Sequence, residues 1–133
     1  MVLNGKRIAV VEDDVTNMAI ISTLLRRNGA LVIQDPWNNN TVQKLLQALP
    51  IDLILLDLML RHSVSGYDIF DKLKASPRLA SIPVVIVSAS DAALEMNRAR
   101  EKGVTGYISK PISYQDFADQ ISAVLEGAQV WAA

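Results

Sequence analysis

Four short, mainly aliphatic runs and a fifth of mixed character punctuate the chain, and a longer stretch that reads as a helix follows each one. The runs are Ile8-Ala9-Val10-Val11, Ala30-Leu31-Val32-Ile33, Leu53-Ile54-Leu55-Leu56, Ile82-Pro83-Val84-Val85-Ile86-Val87 and Thr105-Gly106-Tyr107-Ile108-Ser109. The third is the most telling, because Asp52 and Asp57 bracket it and no charge interrupts it. Runs that are continuous rather than alternating predict strands buried on both faces.

The intervening stretches read as helices. Val15, Met18, Ile21, Leu24 and Leu25 share one face of the first, which Asn28-Gly29 closes. Asn38-Asn39-Asn40 offers caps for a second helix with Val42, Leu45, Leu46 and Leu49 on one face, and Pro50 stops it. A polar loop from Arg61 to Ser65 leads to Gly66 and a third helix carrying Ile69, Phe70 and Leu73, ended by Pro77. After Ser88-Ala89-Ser90-Asp91 a more polar helix runs to Lys102 and ends at Gly103. Ser113-Tyr114-Gln115-Asp116 reads as a capping box before Phe117, Ile121, Val124 and Leu125. Gly127 ends that helix and leaves Ala128–Ala133 as a tail. Five strand–helix units with short connections predict an α/β domain over residues 6–126, a parallel sheet covered on both faces, with short termini at 1–5 and 127–133.

A parallel sheet puts the carboxyl ends of its strands on one edge, where α/β proteins gather their chemistry. That edge would collect Glu12, Asp13 and Asp14 from the first strand, Asp57 from the third, Ser88 from the fourth and Lys110 from the fifth. Two unit charges about 4 Å apart repel by about 4 kcal/mol at an effective dielectric near 20, so such a cluster wants a cation. Oxygen donors without His or Cys favour Mg²⁺ or a similar hard ion. A carboxylate can attack phosphorus to give an aspartyl phosphate, which casts Asp57 as phosphoacceptor. The transferring group spreads negative charge over its oxygens, for which the Lys110 ammonium and the Ser88 hydroxyl are suitable partners. Pro111 makes a cis bond after Lys110 accessible at about 0.5–1 kcal/mol, one way to aim that lysine. Asp14 reads mainly as a cap of the first helix.

Composition narrows the field further. Half of the 133 residues are hydrophobic, enough for a proper core in one domain. Lys and Arg number 13 against 14 Asp and Glu, so no basic excess points to direct nucleic-acid binding. The absence of cysteine excludes disulfides, thiol catalysis and cysteine-bound metals. No apolar run reaches membrane-spanning length and no signal-peptide pattern opens the chain, so a soluble, cytoplasmic protein is expected.

Four pieces carry a resemblance: Val10-Val11-Glu12-Asp13-Asp14, Leu55-Leu56-Asp57, Val87-Ser88-Ala89 and Gly106-Tyr107-Ile108-Ser109-Lys110-Pro111. Together, in that order and over about residues 6–126, they resemble the receiver domain of two-component response regulators. The resemblance implies a flavodoxin-like, doubly wound (βα)5 sheet of strand order 2-1-3-4-5. It implies Asp57 as phosphoacceptor, with Glu12, Asp13, Asp57 and the Met59 backbone carbonyl as ligands of Mg²⁺. Ser88, the Ala89 backbone amide and Lys110 would bind phosphoryl oxygens. Ser88 and Tyr107 would form the switch, with the tyrosine turning inward as Ser88 moves toward the phosphate. Pro111 would follow a cis bond.

The implied function is a phosphorylation switch in a phosphorelay, not a turnover enzyme. A histidine kinase or histidine phosphotransfer protein would donate the phosphoryl group. A downstream protein would read the state on the face near Tyr107, with a homodimer left open and neither nucleic acid nor membrane contacted directly. The chain departs from the pattern after the acceptor: Arg61 stands where many receivers have Pro, and Gly66 falls one residue late. Glu12-Asp13 replaces the commoner Asp-Asp, and Met59 offers no hydrogen bond to an attacking water, so slow loss of phosphate is predicted. A docking module that never takes phosphate and an aspartyl-phosphate phosphatase are the alternatives. The full set of acceptor-site residue types counts against the first, and Met59, where such phosphatases carry a second Asp, against the other.

Overall fold

The computed structural model of the protein describes residues 1–37, 40–60 and 65–133. Strands and helices alternate as β1 (Arg7–Val11), α1 (Val15–Arg27), β2 (Leu31–Asp35), α2 (Thr41–Gln47), β3 (Leu53–Leu56), α3 (Gly66–Ala75), β4 (Val84–Ser88), α4 (Ala92–Lys102), β5 (Gly106–Ser109), α5 (Phe117–Leu125) and β6 (Val130–Ala132). All strands pair in parallel, in the order β2-β1-β3-β4-β5-β6. The chain leaves β1 for β2 on one side and returns to β3 on the other, so the sheet's topological switch point lies between β1 and β3.

Successive strand residues point to opposite faces, and each face has its own core. Ala9, Val11, Ile54, Leu56, Val84 and Ile86 pack with Leu45 of α2, Phe70 and Leu73 of α3 and Ala99 of α4. Ile8, Val10, Leu53, Leu55, Val85 and Val87 pack with Ile21 and Leu25 of α1 and with Phe117 and Ile121 of α5. Both faces are covered, which is why the strands read as unbroken aliphatic runs. Each fully buried aliphatic side chain is worth roughly 1.5–3 kcal/mol. The helix starts follow local chemistry. Asp14, Ser65 and Asp91 accept backbone N–H bonds at the starts of α1, α3 and α4. Ser113 and Asp116 bond each other before α5, as the capping pattern predicts. Asn40 precedes α2 without a side-chain cap bond, while Asn38 and Asn39 lie outside the described residues.

Two differences from the sequence reading stand out. The tail is not a loose terminus: Val130–Ala132 form β6, which pairs with Gly106–Ile108 and covers the outer edge of β5. A Cβ on Gly106 would lie 2.7 Å from the Val130 carbonyl oxygen, so the missing side chain admits the strand. Three residues are too short a run to signal a strand by periodicity. Trp37, left unassigned by sequence, is buried, and its N–H donates to Asp35 Oδ1 at 3.0 Å. Trp131, likewise unassigned, sits in β6 opposite Tyr107, with the Arg100 guanidinium 4.5 Å over its ring.

Candidate functional site

Register decides which residues meet. Val11 of β1 pairs with Leu56 of β3, so the next residue of each strand, Glu12 and Asp57, are neighbours at the sheet's carboxyl edge. The Asp57 N–H donates to the Val11 carbonyl at 3.2 Å and the Glu12 N–H to the Asp35 carbonyl at 3.1 Å, which extends the ladder to both acids. Asp35 is itself fixed by bonds from the Thr41 hydroxyl at 2.6 Å and Lys44 Nζ at 3.2 Å. It was not singled out from sequence, because an acid ending an edge strand looks like any solvated one. On β5, Lys110 continues beyond Ser109, and its N–H donates to the Ser88 carbonyl at 2.9 Å. β5 lies two places from β3, about 10 Å away at ordinary strand spacing, so only a long side chain crosses the gap.

Lys110 crosses it. Its ammonium lies 2.6 Å from Glu12 Oε1 and 3.1 Å from Asp57 Oδ2. The Lys110–Pro111 peptide is cis. Carboxylate oxygens of Glu12, Asp13 and Asp57 all fall within 4.8 Å of one another. Glu12 is almost wholly buried and Asp57 nearly so. Burial pushes the Glu12 carboxyl up to about 7; the Lys110 bond opposes the rise and the Asp57 charge adds to it. Burial by itself would lower Lys110, but the bond to Glu12 and the charges of Asp57 and Glu12 outweigh it and raise the lysine. The Glu12 and Asp57 carboxylates share one ammonium, and Asp13 brings a third carboxylate to the cluster. That excess negative charge, presented by oxygen atoms alone, fits a hard divalent cation.

The other expected residues stand on β3, β4, β5 and the loops that follow them. The Met59 N–H donates to Asp57 Oδ1 at 3.2 Å, while its side chain is exposed. Ser88, the last residue of β4, is fully buried, and its hydroxyl donates to Ser90 Oγ at 3.0 Å. Ala89 is exposed beyond it. Tyr107 has no exposed surface and donates its hydroxyl to the Ser90 carbonyl at 3.3 Å. The resemblance implies a tyrosine that turns inward on activation; here it is inward while Ser88 still bonds Ser90. Trp131 of β6 pairs with Tyr107 in register and packs, partly buried, against the same core cluster.

The loop after Asp57 contains Arg61–Val64, His62 among them, which lie outside the described residues. Its far end is clear. Gly66 N–H donates to the Leu58 carbonyl at 2.8 Å, and a Cβ on Gly66 would collide with the Asp57 carbonyl oxygen. The glycine that looked one residue late thus presses α3 directly onto the backbone of Asp57. Beside it Tyr67 donates to Glu95 Oε2 at 2.8 Å, tying the start of α3 to α4. Sequence reasoning missed that tie, because a tyrosine after a helix-opening glycine reads as plain packing.

A family model, the response regulator receiver domain, matches residues 8–122. The chain belongs to the response regulator receiver family. This receiver is therefore a phosphorylation-dependent signalling switch of two-component systems. It is 33% identical over 123 residues to the polar-differentiation response regulator DivK of Brucella ovis, covering 92% of this chain and 98% of that one. It is 29% identical over 118 residues to the two-component response regulator ORR5 of rice, Oryza sativa subsp. japonica, covering 89% and 87%. Solved structures agree on the fold. Chemotaxis protein CheY4 of Vibrio cholerae superposes with a TM-score of 0.80 at 16% identity, over 90% of this chain and 98% of that one. The signal receiver domain of a DNA binding response regulator from Colwellia psychrerythraea gives 0.78 at 22%, over 91% and 98%. Receivers of this family work with histidine kinases or phosphotransfer proteins and with downstream targets. Among the described residues, no helix of this receiver is long and apolar enough to cross a membrane.

Proposed function

We propose that Asp57 is the phosphoacceptor of this receiver and that Mg²⁺ is its cofactor, held by Glu12, Asp13, Asp57 and the Met59 backbone carbonyl. The observation that carries the reading is the Lys110 ammonium bridging Glu12 and Asp57 beside a cluster of three carboxylates. An Asp57 carboxylate oxygen attacks the phosphorus of a phosphohistidine donor. The P–N bond breaks, and the imidazole nitrogen keeps its electron pair. Lys110 meets the charge that develops on one phosphoryl oxygen, and the Ser88 hydroxyl and Ala89 N–H bind others. Bound Mg²⁺ supplies the positive charge that lets carboxylates and phosphoryl oxygens share so small a space.

The donor is a histidine kinase or histidine phosphotransfer protein in the cytoplasm, and the receiver turns over no other substrate. A switch needs contacts that differ between its two states. Here the new contacts of Ser88 and Lys110 with the phosphoryl group provide the difference, and the face near Tyr107, on α4, β5 and α5, presents it to a downstream protein. The test is beryllofluoride or acetyl phosphate with Mg²⁺, on wild type and Asp57→Asn. Saturable binding of beryllofluoride in wild type alone supports the reading. No response in either protein would leave a docking module that works without phosphate.

A further inference from the structure

Tyr107 lies on β5, which would be the outer strand of the five-stranded sheet that the sequence implies. An aromatic on an outer strand has one open flank, yet Tyr107 has no exposed surface. Ile86 of β4 stands beside it in register on one flank, and Trp131 of β6 on the other. Residues paired in this way point to the same face of the sheet, with their strands about 4.8 Å apart. All three side chains belong to or pack against one core cluster.

The indole is held from two sides. Its Nε1–H donates to Gln129 Oε1 at 3.3 Å, and the Arg100 guanidinium of α4 lies 4.5 Å over the ring. The Tyr107 phenol points the other way, toward the end of β4, where its hydroxyl donates to the Ser90 carbonyl at 3.3 Å. A phenol that turned away from β4 would have to swing across β6, and Trp131 stands on that path.

We infer that Trp131 is a positioning residue: it blocks outward rotation of Tyr107 and keeps the tyrosine in its inward, activated arrangement before any phosphoryl group arrives. This rests on the reading of Asp57 and of the face near Tyr107 under Proposed function. Two events coupled through one conformation favour each other equally. A strand that holds the tyrosine inward therefore raises affinity for the phosphoryl group at Asp57. β6 does from within the chain what a bound downstream protein would do from outside.

Trp131→Ala removes the block and leaves the β5–β6 backbone bonds in place. Affinity for beryllofluoride at saturating Mg²⁺, titrated by calorimetry on the whole chain, is expected to fall roughly two- to fivefold, because part of the population then holds the tyrosine outward. Trp131→Phe keeps an aromatic ring at the same place and is expected to stay near wild type. Gly106→Ala loosens β6 without touching the indole and is expected to weaken binding as Trp131→Ala does. In a Tyr107→Leu background there is no phenol to hold, so Trp131→Ala is expected to change nothing there. General damage to the sheet would weaken binding equally in both backgrounds. Equal losses, or unchanged or tighter binding by Trp131→Ala in the Tyr107 background, would overturn the inference. A second readout needs no phosphoryl analogue: NMR contacts of the Tyr107 ring protons with Ser90 in metal-free protein are expected to weaken in Trp131→Ala and to persist in Trp131→Phe. Full contacts in Trp131→Ala would overturn the inference as well. If wild type fails to bind beryllofluoride, or Asp57→Asn binds it equally, the reading of the acceptor site falls, and the ring contacts alone decide whether Trp131 holds Tyr107.

Discussion

Gly66 sets its bare α-carbon against the main-chain carbonyl of Asp57, so closely that a methyl group would collide with that oxygen and press on Leu58. Gly66→Ala must therefore move either α3 or Asp57. Overpacking of this kind costs about 1–3 kcal/mol, and backbone on both sides puts this case at the upper end. Urea unfolding of the variant is expected to show that loss, together with weakened binding of Mg²⁺. A variant of unchanged stability and metal affinity would mean that the contact relaxes freely.

Lys110 neutralises buried acids, and removing one partner of such a set is strongly destabilising. Lys110→Met is expected to lose about 3 kcal/mol at pH 8 in metal-free buffer. The sign of the pH dependence follows from Glu12, whose carboxyl is raised from 4.5 to about 7 by burial first and the Asp57 charge as well. A raised acid favours the protonated folded state, so its contribution is complete below about 4.5 and is lost as pH climbs through about 7. The deficit of Lys110→Met should accordingly shrink toward pH 5, where Glu12 is neutral. A deficit that grows on acidification would contradict this account.

With Glu12 among the proposed cation ligands, the same carboxyl would make cation binding depend on pH. A proton on Glu12 competes with the cation, so apparent affinity for Mg²⁺ is expected to rise with pH and level off above about 7. Glu12→Gln should bind more weakly and with a flatter profile. Calorimetric titrations across that range decide the matter, and an equally steep profile in Glu12→Gln would assign the proton to another group.

Tyr67 joins α3 to α4 through Glu95, a buried residue. Burial first, and the bond to Glu95 next, raise the phenol well above its usual range, which keeps it a donor at any working pH. Among the described residues, Tyr67→Phe leaves that acid with Arg98 at 3.5 Å as its remaining side-chain partner, and the change is expected to cost about 1–2 kcal/mol in thermal or urea unfolding. A neutral substitution would mean that Arg98 and solvent fully replace the phenol.

β6 depends on a notch. Gly106→Ala places a methyl group against the Val130 carbonyl, and a three-residue strand at the edge of the sheet can peel away rather than distort the rest. The amides of Val130–Ala132 are expected to exchange with solvent faster than in wild type, with Trp131 fluorescence shifting toward that of exposed indole. Global stability should fall less than for Gly66→Ala. Unchanged protection of Val130–Ala132 would show that the edge accommodates a side chain.

Much of this receiver was legible along the chain. Unbroken aliphatic runs fix the strands, since a strand buried on both faces has no position for a polar residue. Glu12, Asp57 and Lys110 were legible as chemistry because each directly follows such a run, and parallel strands must end together. Other features were not. Asp35 looks like a solvated acid until Trp37, Thr41 and Lys44 close around it. Gly66 looks displaced until its α-carbon is seen against Asp57.

The sequence by itself determined the alternation of elements, the two-sided core and the identity of the acidic, hydroxyl and ammonium groups at the strand ends. These are local properties of periodicity and residue type. Only the tertiary structure decided that Lys110 spans two strands to reach Glu12 and Asp57, that the Ser88 and Ser90 hydroxyls bond each other, and that Val130–Ala132 pair with the strand that carries Tyr107. Those facts depend on register and on the direction of single side chains, which residues distant in sequence impose on one another once the sheet has closed.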